Sequence, residues 1–221
     1  MAVEQYPIVA REGWIHITLA ISIASLVHYA LGWPWALPLW FLSLFIIQFF
    51  RDPPRSVPDV ANAVIAPADG KVVSLVEAED PYLNRPALKI SIFMNVFSVH
   101  SNRVPIGGKV MQQWYQHGRF VNAMLDKASH ENERNAIWVQ DDHGVDVVCV
   151  QIAGLIARRI MCYVEPGGAV KQGQRYGFIR FGSRVDVYLP KETVINTRLG
   201  AWVYAGKDVI ATLAGLDQSH G

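Results

Sequence analysis

The hydrophobic residues are most concentrated in one stretch near the N-terminus. Residues 13–50 contain no Asp, Glu, Lys or Arg, although the 221-residue chain has 20 basic and 19 acidic side chains. The apolar run over residues 14–32 would form a helix of about 28 Å, long enough to cross a bilayer. Pro34 and Pro38 suit the first turns of a second helix, which leaves about 18 Å for residues 39–50. The pattern predicts a hydrophobic helical hairpin that spans the membrane twice or lies partly in one leaflet.

The flanks of this hairpin indicate how it meets the membrane. Four of the seven tryptophans occupy positions expected of interfacial anchors: Trp14, Trp33, Trp35 and Trp40. Arg11, Arg51 and Arg55 would lie on one side, and positive flanks favour the cytoplasm. A cleaved signal peptide has a basic leading region and a shorter apolar run, so we expect residues 1–50 to attach the protein to a membrane. The other alternative is a buried hairpin in the core of a soluble protein.

The periodicity changes after the hairpin. Three prolines make residues 51–60 a stiff linker. Short runs rich in Val and Ile follow, which is typical of strands, and they cover residues 64–66, 71–76, 88–93, 137–140, 145–152, 176–179, 184–189 and 202–204. Residues 141–144 predict a hairpin turn, and residues 120–129 alone predict a helix. Residues 61–221 are therefore expected to form a mainly β domain, an antiparallel sandwich or irregular barrel with few short helices.

Charge and cysteine content exclude several classes of protein. The net charge of +1 gives no field that would attract nucleic acid. Cys149 and Cys162 are too few for a disulfide framework and agree with a reducing compartment. The seven histidines lack the paired spacing of a metal site, and the sequence has no P-loop and no dinucleotide-binding glycine motif. We therefore expect neither nucleic acid nor a metal as a partner.

Two candidate catalytic residues lie at the ends of predicted strands. Asp69 is in a Pro-Ala-Asp-Gly turn, where it serves either as a turn former or as a carboxylate that orients a histidine. His100 follows an apolar strand and precedes Asn102 and Arg103. It is either a structural histidine or a group that gives and takes a proton near neutral pH.

A third polar segment covers residues 118–134. Its charges are explained most simply as the solvated face of a helix. Asn122, Asn132, Glu133 and Arg134 could instead bind a zwitterionic or phosphate headgroup, with arginine supplying a bidentate contact.

The fourth segment contains the dipeptide Gly182-Ser183 between two β-type runs. Glycine normally weakens a strand, so the pair forms either a bulge with an exposed serine or a strained peptide. In the second case the serine hydroxyl could attack the preceding carbonyl, which glycine leaves accessible. A hydrolase nucleophile elbow is excluded, because the second glycine of that motif is missing.

Taken together, these segments resemble one family. The hydrophobic N-terminal segment is followed in order by FFRDPPR, APADGKV, FMNVFSVHSNRVPIGG, GRFVNA, ENER, QIAGLIARRI and YGFIRFGSRVDVYLP. This order is similar to that of the phosphatidylserine decarboxylases, in particular their short bacterial and archaeal-type branch, and it covers most of the chain. Archaeal relatives with this architecture act on archaetidylserine, so the resemblance implies the serine headgroup more firmly than the lipid backbone.

The resemblance implies a proenzyme that cleaves itself between Gly182 and Ser183. The Ser183 hydroxyl would attack the Gly182 carbonyl, and residue 183 would become a covalent pyruvoyl group, with no metal and no pyridoxal phosphate. The ketone would form a Schiff base with phosphatidylserine, and loss of CO2 would yield phosphatidylethanolamine, which is the reaction of a carboxy-lyase. The products of cleavage, residues 1–182 and 183–221, would remain together as a heterodimer.

The resemblance also implies roles for other residues. His100 would transfer protons to the substrate, and Asp69 would orient a neighbour or act as a base in cleavage. Four further residues are candidate contacts for the substrate: Arg103, Asn122, Glu133 and Arg134.

Two departures from the longer bacterial enzymes affect these roles. Their cleavage motif is Leu-Gly-Ser-Thr, whereas this chain has Phe181-Gly182-Ser183-Arg184. They also have a second histidine where this chain has Arg103. Either His100 or Asp69 could therefore activate Ser183.

The implied substrate gives the apolar hairpin a purpose. A two-tailed lipid stays in the bilayer, so an enzyme anchored there presents its site at headgroup level. We expect the inner membrane of the cell, a catalytic domain on the cytoplasmic side, and membrane lipid as a partner. A higher homo-oligomer is compatible with the sequence.

Two interpretations from other classes stay open at this point. Residues 164–190 also resemble a lipoyl or biotinyl carrier hairpin, although Lys171 and Lys191 lack the neighbours expected of a modified lysine. The alternative is a membrane-anchored structural β protein with an inert serine, which would remain one chain.

Overall fold

The computed structural model describes residues 6–118, 123, 131–154, 159–180 and 182–214. These residues form two compact units. One unit extends to Pro54 and includes Phe97–Val99, and the other contains the remaining described residues. The helix predicted over residues 120–129 lies outside the described residues, except for Ala123.

The N-terminal unit is a helical hairpin, which confirms the predicted one. Helix α1 is Trp14–Leu31 and helix α2 is Trp33–Phe49. Gly32 lies between them with a φ of 83°, a left-handed conformation that favours glycine, and its N–H donates to the carbonyl of His28 at 3.0 Å.

The second helix is regular from Trp33 to Phe49 and about 25 Å long, whereas the sequence left about 18 Å for residues 39–50. Pro34 lies in its first turn, where no N–H is needed, but Pro38 lies inside the helix. The prediction was wrong because it treated both prolines as part of the helix start. A single lost hydrogen bond at Pro38 does not end a helix this apolar.

The surface of the hairpin is apolar. Among the described residues, Arg11–Leu31 is the one helix both long and apolar enough to cross a membrane, with a mean hydropathy of 1.6. Ala24 is the buried residue of α1, whereas Trp14, Leu19 and Leu26 are each more than half exposed. A core hairpin of a soluble protein would bury such side chains, so the exposed face fits lipid better than water.

Hydrogen bonds close the open end of the hairpin. The N–H of Ala10 donates to the carbonyl of Phe50 at 2.7 Å, and the N–H of Asp52 donates to the carbonyl of Ile8 at 2.6 Å. Gly13 allows this approach, because a Cβ there would lie 2.3 Å from the Phe50 ring. The two ends of the apolar segment therefore leave the hairpin at the same side.

The second unit is built from fourteen described strands. In chain order, β1 to β14 are Ala63–Ile65, Gly70–Asp80, Arg85–Met94, Ser101–Arg103, Gly108–Gln116, Arg134–Gln140, Asp146–Ile152, Ile160–Cys162, Ala169–Val170, Arg175–Ile179, Ser183–Pro190, Val194–Ile195, Trp202–Val203 and Val209–Thr212. The predicted mainly β fold is confirmed. The predicted hairpin turn is also present between β6 and β7, with Gly144 at a φ of 81°.

All strand pairs are antiparallel. The largest sheet has the order β13-β2-β3-β11-β7-β6-β5-β9, and two smaller sheets have the orders β1-β14-β12 and β4-β10-β8. Strand β11 lies between β3 and β7, and its residues are buried along almost the whole strand. This central position explains why both of its faces are packed.

The two faces of β11 have different surroundings. Because side chains alternate along a strand, Ser183, Val185 and Val187 share one face, and Arg184 and Asp186 share the other. The first face belongs to the main apolar core with Ile90 and Ile92, and a second cluster around Tyr188 and Val148 covers the other.

Candidate active site

The dipeptide Gly182-Ser183 lies at the start of the central strand β11. Ser183 is fully buried and is paired with Met94 of β3, which excludes an exposed serine in a surface bulge. Its Oγ makes no hydrogen bond to any described residue. A buried hydroxyl without a partner destabilises the fold, so this residue is a candidate for chemistry rather than for structure.

The residue before Ser183 has an unusual backbone. Gly182 has a φ of 59°, in the left-handed region that a side chain disfavours, and a Cβ on it would meet no atom of a described residue within 4 Å. Glycine is therefore needed here for conformation rather than for space. The peptide that joins Gly182 to Ser183 begins in a turn and ends in a buried strand.

Asp69 lies in the turn between β1 and β2 and is buried. Its Oδ2 accepts a hydrogen bond from Nη2 of Arg55 at 2.7 Å, and its Oδ1 accepts one from the N–H of Ala205 at 2.7 Å. Donors to both oxygens, one of them charged, favour the ionised carboxylate. Arg55, which sequence reasoning assigned to the membrane flank, is thus half of a buried ion pair.

His100 is fully buried directly before β4. Its ring centroid is 6.3 Å from that of Phe178, and its carbonyl accepts the N–H of Ile179 at 3.3 Å. Strand β10 therefore fixes both the backbone and the ring of this histidine.

Backbone and side-chain contacts bring three of the sequence segments together. The N–H of Arg103 donates to the carbonyl of Pro67 at 2.9 Å, which joins β4 to the turn that contains Asp69. Nδ2 of Asn102 contacts the sulfur of Met94 at 3.7 Å, and Met94 is the cross-strand partner of Ser183. The segments of Asp69, His100 and Ser183 therefore meet in one region of the β unit.

A chain of hydrogen-bonded amides, buried except for its half-buried end at Gln113, lies on the same face as Ser183, and sequence reasoning missed it. Nε2 of Gln113 donates to Asn135 at 2.8 Å, Nδ2 of Asn135 donates to Gln151 at 3.0 Å, and Nε2 of Gln151 donates to Asn102 at 2.8 Å. The register of β11, β7 and β6 places Gln151 and Asn135 on the face of Val185. The sequence gives one indication of this amide chain, which is Gln151 inside the otherwise apolar run of β7.

The predicted substrate contacts are distributed differently. Arg103 is buried, and its Nη1 donates to the carbonyl of Gly173 at 3.2 Å. Glu133 accepts a hydrogen bond of 2.5 Å from the Tyr115 hydroxyl. Arg134 is paired with Ile152 and so lies on the sheet face opposite to Ser183. Asn122 lies outside the described residues.

A buried ion pair lies next to Ser183 on the opposite face. Nε of Arg184 is 2.8 Å from Oδ1 of Asp186, and its Nη2 donates to Oδ2 at 3.1 Å. The remaining Nη1 donates to the carbonyl of Ala123 at 2.9 Å. Both side chains are at most 2% exposed. Sequence reasoning noted Arg184 only as a departure from a motif and did not find its partner.

The surroundings of this pair are aromatic. Burial raises the pKa of Tyr188, and the negative charge of Asp186 adds to that increase. Burial likewise raises the pKa of Tyr82, which the positive charge of Arg134 partly opposes. Both phenols are therefore neutral at physiological pH.

The cysteines are poor nucleophiles here. Burial raises the pKa of Cys149 to about 12, although the hydroxyl of Tyr176 lies 3.0 Å from its sulfur. Burial also raises the pKa of Cys162. Neither forms a disulfide, and the described residues contain no cluster of His, Cys, Asp or Glu that could hold a metal ion.

Comparison with known proteins identifies the family. The family model described as phosphatidylserine decarboxylase matches residues 42–211. The chain belongs to the phosphatidylserine decarboxylase family. The matched residues include the C-terminal half of the second helix, the Asp69 and His100 segments, and Gly182-Ser183.

Several members of the phosphatidylserine decarboxylase family are similar over nearly their whole length. The phosphatidylserine decarboxylase proenzyme of Nitrosomonas europaea is 59% identical over 206 residues, which are 93% of this chain and 95% of that protein. The proenzyme of Aromatoleum aromaticum is 56% identical over 208 residues, 94% of this chain and 97% of that protein. The proenzyme of Burkholderia mallei is also 56% identical, over 94% of this chain and 96% of that protein.

Family membership decides between the interpretations that the sequence left open. The predicted resemblance to phosphatidylserine decarboxylases is confirmed, and the carrier interpretation has no comparable support. Lys191, one of the two lysines considered for modification, forms an exposed ion pair of 3.0 Å with Glu77.

Proposed function

We propose that this protein is a pyruvoyl-dependent carboxy-lyase that converts phosphatidylserine into phosphatidylethanolamine and CO2 after cleaving itself between Gly182 and Ser183. The observation that carries the proposal is the buried Ser183 hydroxyl, without a partner among the described residues, directly after a left-handed glycine. The relatives named above are called proenzymes of this activity, which agrees with a precursor that matures.

Self-cleavage requires no group from outside the chain until its last step. The Ser183 Oγ attacks the Gly182 carbonyl carbon, the peptide C–N bond breaks, and the hydroxyl proton passes to the nitrogen, which leaves an ester. Loss of the Ser183 α-proton then expels the Gly182 carboxylate and leaves dehydroalanine. Tautomerisation and hydrolysis by one water give the pyruvoyl group and ammonia.

The surroundings of Ser183 fit this conversion. Because the hydroxyl makes no hydrogen bond to a described residue, its loss breaks none. A pyruvoyl ketone supplies the electron sink that decarboxylation of an amino acid requires, as pyridoxal phosphate does in other enzymes. The buried face around Met94 and the amides of Gln151 and Asn102 would exclude water from it.

We assign the proton transfers to His100 and a positioning role to Asp69. A carboxylate that already accepts bonds from Arg55 and Ala205 is a weak base, because those donors stabilise its charged form. Asp69 would therefore hold the turn that contains Pro67. The carbonyl of Pro67 accepts the N–H of Arg103, which lies three residues after His100. Arg103, Asn122, Glu133 and Arg134 remain candidates for contacts with the substrate.

Two isosteric variants test these roles. His100→Gln should lower the decarboxylation rate of processed enzyme by about 100-fold or more, the usual contribution of a general acid or base. Asp69→Asn should slow cleavage, because Arg55 loses its charged partner. Asp208→Asn is the matched control, since Asp208 accepts the N–H of Tyr204, next to the Ala205 N–H that donates to Asp69, but is not proposed to act. Wild-type cleavage and decarboxylation in His100→Gln would contradict the assignment.

The mature enzyme would be a heterodimer of residues 1–182 and 183–221. The shorter chain would supply β11 to β14, and β11 forms hydrogen bonds with β3 and β7 in the middle of the large sheet. Separation would expose the whole core, so the two chains should remain together after cleavage. Further assembly into a homo-oligomer is compatible with this arrangement.

We further propose a division into an anchor of residues 1–50, a linker of residues 51–60 and a catalytic domain of residues 61–221. The exposed apolar surface of α1 supports insertion into the inner membrane of the cell. The basic residues Arg11 and Arg51 would favour the cytoplasmic side for the catalytic domain.

One experiment with three measurements tests the proposed function. The full chain is mixed with vesicles that contain phosphatidylserine, and its flotation, its intact mass under denaturing conditions and the formation of phosphatidylethanolamine are followed. We expect flotation that resists high salt, replacement of the 24.7 kDa chain by two species cleaved between residues 182 and 183, and formation of phosphatidylethanolamine. Lipids with the same serine headgroup on another backbone test the alternative substrate. A single stable chain without activity would contradict the proposal.

A further inference from the structure

The carbonyl group of Gly182 lies directly against Gly154. A Cβ on Gly154 would lie 1.6 Å from the Gly182 carbonyl oxygen and 2.7 Å from its carbonyl carbon. No side chain fits at such distances. The backbone of Gly154 is not in the left-handed region, so this glycine is required by space alone.

The segment that carries Gly154 is held from one side. The N–H of Ala153 donates to the carbonyl of Glu133 at 2.9 Å, and Nδ2 of Asn132 donates to the carbonyl of Ala153 at 2.6 Å. Asn132 is fully buried and Glu133 nearly so. These two hydrogen bonds to Ala153 fix the position of the peptide bond between Ala153 and Gly154.

These contacts form a continuous path from the residues before β6 to the scissile bond. Asn132 and Glu133 fix Ala153, and the next residue, Gly154, contacts the carbonyl that Ser183 would attack. A Cβ on Gly154 would also lie 3.4 Å from Cβ of Ala123. The carbonyl of Ala123 accepts a hydrogen bond from Nη1 of Arg184. Gly154 therefore lies between the Gly182 carbonyl and a segment that Asn132 and Glu133 hold in place.

We infer that Gly154 is a positioning residue for self-cleavage: its bare α-carbon, held by Asn132 and Glu133, fixes the orientation of the Gly182 carbonyl that Ser183 attacks. The inference rests on the proposed self-cleavage. It gives Asn132 and Glu133, considered above as headgroup ligands, a further role in maturation.

The physical reason is the geometry of attack. The trigonal carbonyl carbon becomes tetrahedral when the Oγ–C bond forms and trigonal again when the C–N bond breaks. The carbonyl must therefore present its face to a hydroxyl on the adjacent residue. The left-handed Gly182 is flexible, and a packed neighbour removes that freedom before the reaction. Misplacement by 1 Å is enough to slow a positioned reaction by about 100-fold.

The test is the full-length variant Gly154→Ala, followed as the fraction of chain cleaved with time. We expect cleavage to slow by about 100-fold, since the added methyl must displace the carbonyl. Hydroxylamine, which cuts esters, should release no fragment from this variant, because the block precedes ester formation. An ester that accumulates, or cleavage at the wild-type rate, would overturn the inference.

Two control variants separate positioning from general crowding. A Cβ on Gly107 meets ordinary contacts of 3.4 Å or more, so Gly107→Ala should leave cleavage unchanged. A Cβ on Gly108 would lie 2.1 Å from the carbonyl oxygen of Gln140 in the β5–β6 pair, and the φ of +150° at Gly108 adds backbone strain, so this variant is at least as disturbing to the fold. Gly108→Ala should therefore lower the melting temperature while cleavage of the folded fraction continues. If it blocks cleavage as strongly as Gly154→Ala, the inference fails.

A second variant keeps the inference testable if Gly154→Ala does not fold. Asn132→Ala removes the bond to the Ala153 carbonyl without adding atoms, and it should slow cleavage in a chain that still unfolds cooperatively. Unchanged cleavage in Asn132→Ala would count against the inference. Absence of cleavage in the wild-type chain would instead contradict the proposed function, so the two failures are distinguishable.

Discussion

Replacing Ser183 with alanine should leave a single uncleaved chain with no decarboxylase activity. The variant removes the only atom proposed to attack the Gly182 carbonyl, and without cleavage no ketone can form at residue 183. Stability should change little, because the lost hydroxyl makes no hydrogen bond to a described residue. Intact mass under denaturing conditions and phosphatidylethanolamine formation on vesicles measure the two effects.

Ser91→Ala provides the matched control for that result. Ser91 is also buried, its Oγ also lacks a hydrogen bond to the described residues, and it lies on the neighbouring strand β3. It is paired with Asp186 and so faces away from the side of Ser183. This variant should cleave and decarboxylate like the wild type. Activity in Ser183→Ala, or a cleaved Ser183→Ala chain, would remove Ser183 from the mechanism.

The parts of the fold that were predictable depend on local patterns. A run of residues without charge predicts an apolar hairpin, and alternating Val and Ile predict strands, because both periods are set by neighbours in sequence. Strand β5, Gly108–Gln116, escaped prediction because Gln112, Gln113 and Gln116 hide its alternation. The length of α2 was underestimated because Pro38 was taken as part of its first turns. A proline inside a helix is tolerated more readily than a local rule implies.

The parts of the site that escaped prediction depend on contacts between distant segments. Asp69 stands out in the sequence through its turn and His100 through its place at a strand end. Ser183 stands out through the family resemblance. The contact of Gly154 with the Gly182 carbonyl joins residues 28 positions apart, and Gly154 has no local feature that separates it from a loop glycine. The bond between Arg184 and the Ala123 carbonyl spans 61 positions. Only the register of the sheet brings such residues together.

The second large effect concerns the buried pair of Arg184 and Asp186. Asp186→Ala should lower the free energy of unfolding by about 3–5 kcal/mol, because it leaves the guanidinium charge without its carboxylate in a buried site. Two contacts are lost at once: the ion-pair contact of Nε at 2.8 Å and the hydrogen bond from Nη2 at 3.1 Å. The bond from Nη1 to Ala123 remains but cannot neutralise the charge.

The measurement should use the Ser183→Ala background. Cleaved enzyme consists of two chains, so its unfolding would depend on protein concentration, whereas the uncleaved variant unfolds as one chain. Denaturant unfolding in detergent, with Asp186→Ala compared with its parent, then gives the difference directly. An exposed pair supplies the control: Glu77→Gln breaks the 3.0 Å contact with Lys191, and exposed pairs of this kind contribute about 1 kcal/mol or less.

A double variant separates the charge effect from packing. Replacing Arg184 with Met and Asp186 with Leu removes both charges together and keeps apolar volume, so much of the lost stability should return, as buried pairs are often replaceable in this way. The aromatic surroundings of Tyr82 and Tyr188 can accept such side chains. If Asp186→Ala costs no more than Glu77→Gln, the pair is not buried in solution. If the double variant is as unstable as Asp186→Ala, packing rather than unpaired charge is the cause.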